Sequence, residues 1–113
     1  MSLPWKQIQS ISDVDQAWES SFLKPILLFK HSTRCSISSM ALNRLERNWN
    51  GYEEQLSPFY LDLISFREVS QHIATLSGVQ HESPQAIVVK NGKVVYHASH
   101  NGISLADLME ALG

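Results

Sequence analysis

The chain has 113 residues, of which 43% are hydrophobic, and this is enough apolar material for the core of one domain, taken as residues 1–113, and too little for two. Nine lysines and arginines stand against eleven aspartates and glutamates, a formal charge of −2, which excludes the basic footprint of a nucleic-acid-binding protein. Apolar runs of membrane-spanning length are missing, the first residues lack the charged, apolar and small-residue regions of a signal peptide, and the single cysteine cannot close an internal disulfide. These features point to a soluble protein of the reducing cytoplasm.

In chain order, Ser12 is read as the cap of a first helix over 13–20, with Val14, Ala17 and Trp18 as its apolar stripe. Lys24-Pro25 then turns the chain into a continuous apolar run, Ile26 to Phe29, read as a short buried strand over 26–30. A second helix runs from Cys35 to about Asn50. Its buried face is assigned to Ile37, Met40, Ala41, Leu45 and Trp49, and Asn50-Gly51 stops it. Pro58 to Leu63 is a second strand and Ser65 to Ser77 a third helix, with Val69, His72, Ile73 and Leu76 on one side and Gly78 at its end. Ala86 to Val89 and Lys93 to Tyr96 flank Asn91-Gly92, a strong hairpin signal. Ser104, with Asp107 three residues on, caps a last helix containing Leu105, Leu108, Met109 and Leu112.

Two strands separated by a helix pair in parallel if they are neighbours, whereas the hairpin is antiparallel. A mixed four-stranded sheet with helices on both faces buries every apolar face. This is an α/β fold of the thioredoxin-like class, in which a reactive cysteine follows the first core strand. Cys35 lies at such a strand-to-helix junction, where unpaired amides and the helix dipole favour an anion. A cysteine so placed is expected to ionise more readily than a free one and to act as a nucleophile. Arg34 adds a positive charge, and Ser38 completes a Cys-x-x-Ser stretch whose hydroxyl is positioned to donate to the thiolate. Ser83-Pro84 precedes the hairpin where the fold commonly carries a cis-proline beside the thiol, and Thr33 shapes the loop before Cys35.

The blocks Phe29-Lys30-His31-Ser32-Thr33-Arg34-Cys35 with Ile37-Ser38, Ser83-Pro84-Gln85, Asn91-Gly92-Lys93 and Tyr96-His97-Ala98-Ser99-His100 are spread over most of the chain. Together they resemble the monothiol bacilliredoxins, small thioredoxin-fold proteins of bacteria that use bacillithiol. The family commonly has proline after its active cysteine. Ser36 stands there in this chain and leaves an extra backbone amide at the helix start. The resemblance implies a thiol–disulfide oxidoreductase that removes bacillithiol from protein mixed disulfides. Cys35 would be the nucleophile, Ser38, Ser36 and Arg34 the thiolate-stabilising groups, and Ser83, Pro84 and Thr33 the substrate-positioning groups. It implies S-bacillithiolated cytosolic proteins and bacillithiol as partners, no membrane and no nucleic acid, and no tightly bound cofactor, bacillithiol being only a transient mixed-disulfide partner.

Histidines at 97 and 100 share no helical face and form no tight cluster with acids, so no metal site is assigned. His31 is read as a structural or solvent-facing histidine, and Asp62 as a cap for the segment after it. Two other readings stay open on residues alone. One is a glutaredoxin-like iron–sulfur carrier, whose motif has glycine and phenylalanine where this chain has Ser36-Ile37. The other is a non-catalytic interaction module.

Overall fold

The computed structural model describes residues 4–113; the first three residues of the expected domain lie outside the described residues. A five-stranded sheet in the order β1-β3-β2-β4-β5 is formed by β1 (Lys6–Gln7), β2 (Ile26–His31), β3 (Ser57–Asp62), β4 (Gln85–Lys90) and β5 (Lys93–Ser99). The helices are α1 (Ile11–Ser20), α2 (Ser36–Asn48), α3 (Arg67–Ser77) and α4 (Leu105–Ala111). β2 pairs in parallel with β3 and antiparallel with β4, and β4 and β5 form the hairpin. The four strands expected from the sequence are the core of this sheet, and the short edge strand β1 is an addition. Its two residues, Lys6 and Gln7, are exposed and pair with Phe59 and Tyr60, so they carry no apolar alternation to betray them.

β2 is the central strand, and all six of its residues are buried, which explains its unbroken apolar run. Ile26 and Leu28 face one core, shared with Val14 and Ala17 of α1 and Val69 and Ile73 of α3. Leu27 and Phe29 face the other, shared with Ala41 and Leu45 of α2 and Leu105 and Leu108 of α4. Alternation along one strand thus joins two helix layers.

Helix α1 begins two residues earlier than expected. Its cap is Ser10, whose hydroxyl accepts the Asp13 N–H at 3.0 Å, and not Ser12. In α2 the buried stripe is Ser38, Ala41 and Leu45, while Ile37 and Met40 are 47% and 63% exposed, contrary to the sequence assignment. A polar residue, Ser38, takes the core-facing place in the first turn and rotates the stripe away from Ile37 and Met40. In α3 Leu76 is 38% exposed and His72 reaches across to Asp15 of α1 at 2.8 Å; the buried face is Val69, Ser70 and Ile73.

Gly78 ends α3 with φ 74°, and Ser104 caps α4 by accepting the Asp107 N–H. Asn91 and Gly92 have φ of 54° and 73°, the left-handed pair of a tight hairpin turn. The turn docks on the α1–β2 connection, where Gly92 N–H donates to Ser21 Oγ at 2.9 Å. A Cβ at Gly92 would stand 2.6 Å from the Phe22 ring. Gly92→Ala is therefore expected to cost about 1–3 kcal/mol, read as a lower urea midpoint. Because the turn lies at the end of the sheet away from Cys35, thiol chemistry should be unchanged.

Candidate active site

Parallel β2 and β3 end together, His31 opposite Asp62, and β4 starts beside them with Gln85 opposite Lys30. The loops after β2 and β3 and the loop before β4 therefore gather at one end of the sheet. In the first, the Cys35 N–H donates to the Ser32 carbonyl at 3.1 Å, closing a turn with Thr33 and Arg34 exposed at its corners. Cys35 is the N-cap of α2, with extended backbone (φ −112°, ψ 120°) and a partly exposed side chain. Its carbonyl accepts the Ser39 N–H at 3.1 Å, so the helix ladder starts there. The amides of Ser36, Ile37 and Ser38 in the first turn have no acceptor within the helix. Ser36 is exposed at the first helical position.

Ser38 is fully buried, and its hydroxyl is already engaged. Ser38 Oγ accepts the Ser32 N–H at 3.0 Å and lies 2.6 Å from His31 Nδ1. Among the described residues no hydrogen bond joins it to the Cys35 thiol. Its visible work is to fasten the loop that carries Cys35 to the end of β2. The imidazole of His31 is 5% exposed and packed between Phe29 (centroids 6.2 Å apart) and Tyr60 (5.6 Å). Burial lowers its pKa, opposed in part by the Asp62 and Glu46 carboxylates, so it is neutral near pH 7. With the proton on Nε2, Ser38 donates to Nδ1. With the proton on Nδ1, Ser38 accepts two N–H groups and its own hydrogen is free. His31 is thus a buried, hydrogen-bonded histidine, the structural of the two readings the sequence allowed, and its partner Ser38 lies on another element where no local pattern pointed to it.

The Ser83–Pro84 peptide bond is cis, and Pro84 is buried. Extending the β2–β4 register one step past Lys30 and Gln85 sets Pro84 beside His31, at the root of the Cys35 loop. The Pro84 carbonyl accepts the His100 N–H at 3.0 Å, and Ser83 Oγ is buried without a partner. Arg34 makes no ion pair among the described residues. Asp62 caps the following turn: its carboxylate accepts the Ile64 N–H at 3.1 Å and the Ser65 hydroxyl at 2.9 Å. Among the described residues no three His, Cys, Asp or Glu side chains converge as a metal-ligand set.

On the other face of β2, Lys30 is fully buried among the α1- and α3-facing residues. Desolvation holds its ammonium down to about 8, from the ordinary 10.5. Below pH 8 the lysine is charged in both folded and unfolded chains, and the burial penalty is fully present. Between these values the folded chain gives up the proton while the unfolded chain keeps it, so stability rises with pH. Relative to Lys30→Met, the wild type should gain about 1–3 kcal/mol between pH 8 and 10.5, measured by urea unfolding across that range.

A single cysteine at the start of the helix that follows the central strand, at the end of the sheet where the Ser83–Pro84 segment also lies, is the arrangement of a thioredoxin-fold oxidoreductase of the one-cysteine kind. The chain belongs to the monothiol bacilliredoxin family, BrxC, whose sequence model matches residues 6–108. A candidate oxidoreductase with a thioredoxin fold is 32% identical, with 95% of this chain and 92% of that one covered and a TM-score of 0.81. Fasciola hepatica thioredoxin (14% identity, 95% of each chain, TM-score 0.70) and Malassezia sympodialis thioredoxin (15% identity, 96% and 87% covered, TM-score 0.72) share the fold. The chain is accordingly a thiol–disulfide oxidoreductase of the bacillithiol system, with bacillithiol and bacillithiolated proteins as its partners. No helix among the described residues is long and apolar enough to cross a membrane.

Proposed function

We propose that the 113 residues act as one domain that strips bacillithiol from cytoplasmic proteins through Cys35. The observation that carries this reading is the placement of the chain's one cysteine, partly exposed, at the N-cap of α2. The Cys35 thiolate attacks the bacillithiol sulfur of a protein mixed disulfide in line with the sulfur–sulfur bond. That bond breaks as the new one forms, the protein sulfur leaves as a thiolate and takes up a proton, and Cys35 now holds bacillithiol. One disulfide is consumed and one formed, so no external oxidant or reductant enters this step. A second thiol then attacks the Cys35 mixed disulfide and returns Cys35 to its thiolate.

The free first-turn amides, Ser36 included, and the Arg34 guanidinium stabilise negative charge on the sulfur. Ser38 contributes mainly by holding the loop, and contributes a donor only when His31 carries its proton on Nδ1. The backbone at Ser83–Pro84 lies against the substrate disulfide, and the turn containing Thr33 borders it. A reducing cytoplasm suits a protein whose one cysteine must stay free between cycles.

The test incubates reduced protein with a model protein carrying a bacillithiol mixed disulfide, with glutathione and coenzyme A versions in parallel, and follows intact masses. The expected result is a bacillithiol mass arriving on Cys35 as the model protein loses it, faster than either other thiol. Equal transfer from all three removes selectivity for bacillithiol. No transfer, with Cys35 shown to be reduced, overturns the assignment.

A further inference from the structure

The exchange chemistry leaves Lys30 unused, and stability does not account for it. Its neighbours on the same face of β2, Ile26 and Leu28, are apolar, and a buried ammonium without a carboxylate partner opposes folding. The one ion pair among the described residues joins His72 and Asp15. Lys30 Nζ donates instead to the Ser70 carbonyl of α3 at 3.3 Å and meets His81 Nδ1 at 3.2 Å. The Ser70 hydroxyl lies 3.1 Å from the same nitrogen. An ammonium can only donate, so His81 Nδ1 is the acceptor and the ring carries its proton on Nε2. Burial and then the Lys30 charge lower the His81 pKa, which favours this neutral form; Glu82 opposes them.

Directly across the β2–β4 ladder from Lys30 is Gln85, 1% exposed, and opposed residues project to the same side of a sheet. Gln85 Nε2 donates to the Gln80 carbonyl at 2.9 Å, while Oε1 is buried without a partner. Two buried polar side chains on adjacent strands therefore reach the same short loop, one at its backbone and one at His81. The loop ends in Ser83–Pro84. Its other side is tied by Ser99 Oγ to Glu82 at 3.0 Å and by the His100 N–H to the Pro84 carbonyl.

We propose that Lys30 and Gln85 are positioning residues for the exchange reaction: they clamp the Gln80–Pro84 loop from beneath and fix the backbone against which the substrate disulfide aligns. The clamp rests on the reading of Ser83–Pro84 as the aligning segment. It places no charge on the reacting sulfur, since its contacts lie on the α3 face of β2 and Cys35 follows from the opposite, α2-packed layer.

Lys30→Met keeps the length of the side chain and removes its donors. Transfer of bacillithiol from a protein mixed disulfide is expected to slow about tenfold to a hundredfold, the cost of a loosened positioning element. Alkylation of Cys35 by iodoacetamide, which needs no aligned disulfide, should stay within about twofold of wild type. Backbone amides of residues 80–83 should exchange with deuterium about tenfold faster or more. Transfer within twofold of wild type, transfer and alkylation falling together, or unchanged amide exchange would each overturn the clamp. Should Lys30→Met not fold, His81→Ala, at an exposed position, removes the same contact and is held to the same three readouts. If the wild type itself moves no bacillithiol, the functional reading fails, and the amide-exchange comparison still decides whether the clamp exists.

Discussion

Cys35→Ser is expected to abolish bacillithiol transfer, leaving only the uncatalysed background. Serine preserves the volume and the N-cap position, and as an N-cap it is better than cysteine, because its oxygen accepts a first-turn amide. Cys35 makes no such side-chain bond, so the substitution should leave the fold intact and raise its stability slightly, by about 0.5–1 kcal/mol. What it cannot do is form a disulfide. The mixed disulfide on the model protein should persist, and no bacillithiol mass should arrive on the variant. A variant that kept transferring at a wild-type rate would sink the role of Cys35. This is the only cysteine in the chain, so no second thiol can substitute for it or resolve its mixed disulfide internally. The same arithmetic makes regeneration bimolecular: the rate at which Cys35 is returned to its thiolate should rise in proportion to added thiol and show no plateau from an internal partner.

The parts of this protein that were legible in the sequence are those governed by local pattern. The unbroken apolar run at 26–29 lies in a central strand because β2 is covered on both faces, and the Asn91-Gly92 pair is a hairpin because both residues take left-handed backbone. The helix order, the parallel crossover and the place of Cys35 at its end follow from these. Less legible was anything set by contacts between distant segments. Ile37 and Met40 have helical spacing with Ala41, yet the register of α2 against the sheet is decided by Ser38, a polar residue that buries because His31 and the Ser32 amide need it. Periodicity counts apolar residues and cannot see a buried hydroxyl. Lys30 was hidden for a related reason: it closes the apolar run, and no local pattern shows that the strand continues one residue further or that α3 and the His81 loop cover the lysine. β1 escaped because two exposed polar residues on an edge have no pattern at all.

Ser38→Ala is expected to lower stability by about 2–3 kcal/mol, or roughly 8–15 °C in Tm for a domain of this size. The loss comes from what the hydroxyl leaves behind. The Ser32 N–H loses its acceptor, and the Nδ1 of a 5%-exposed imidazole loses a partner at 2.6 Å. Each unpaired buried group costs about 1–3 kcal/mol, in full at buried His31 and in part at half-buried Ser32, where water can replace some of the lost bond. Alanine is a better helix former than serine, which returns only a few tenths of a kcal/mol. Transfer should slow by about an order of magnitude, because the turn at Ser32–Cys35 loses the bond that fixes it to α2. The pH dependence of Cys35 alkylation separates this account from the simpler one in which Ser38 donates directly to the thiolate. If the hydroxyl is committed to His31 and Ser32, the alkylation profile of Ser38→Ala should keep the wild-type midpoint while Tm and transfer fall. A midpoint shifted upward with Tm unchanged would show that the hydroxyl's main bond is to the sulfur, and that the His31 contact is secondary.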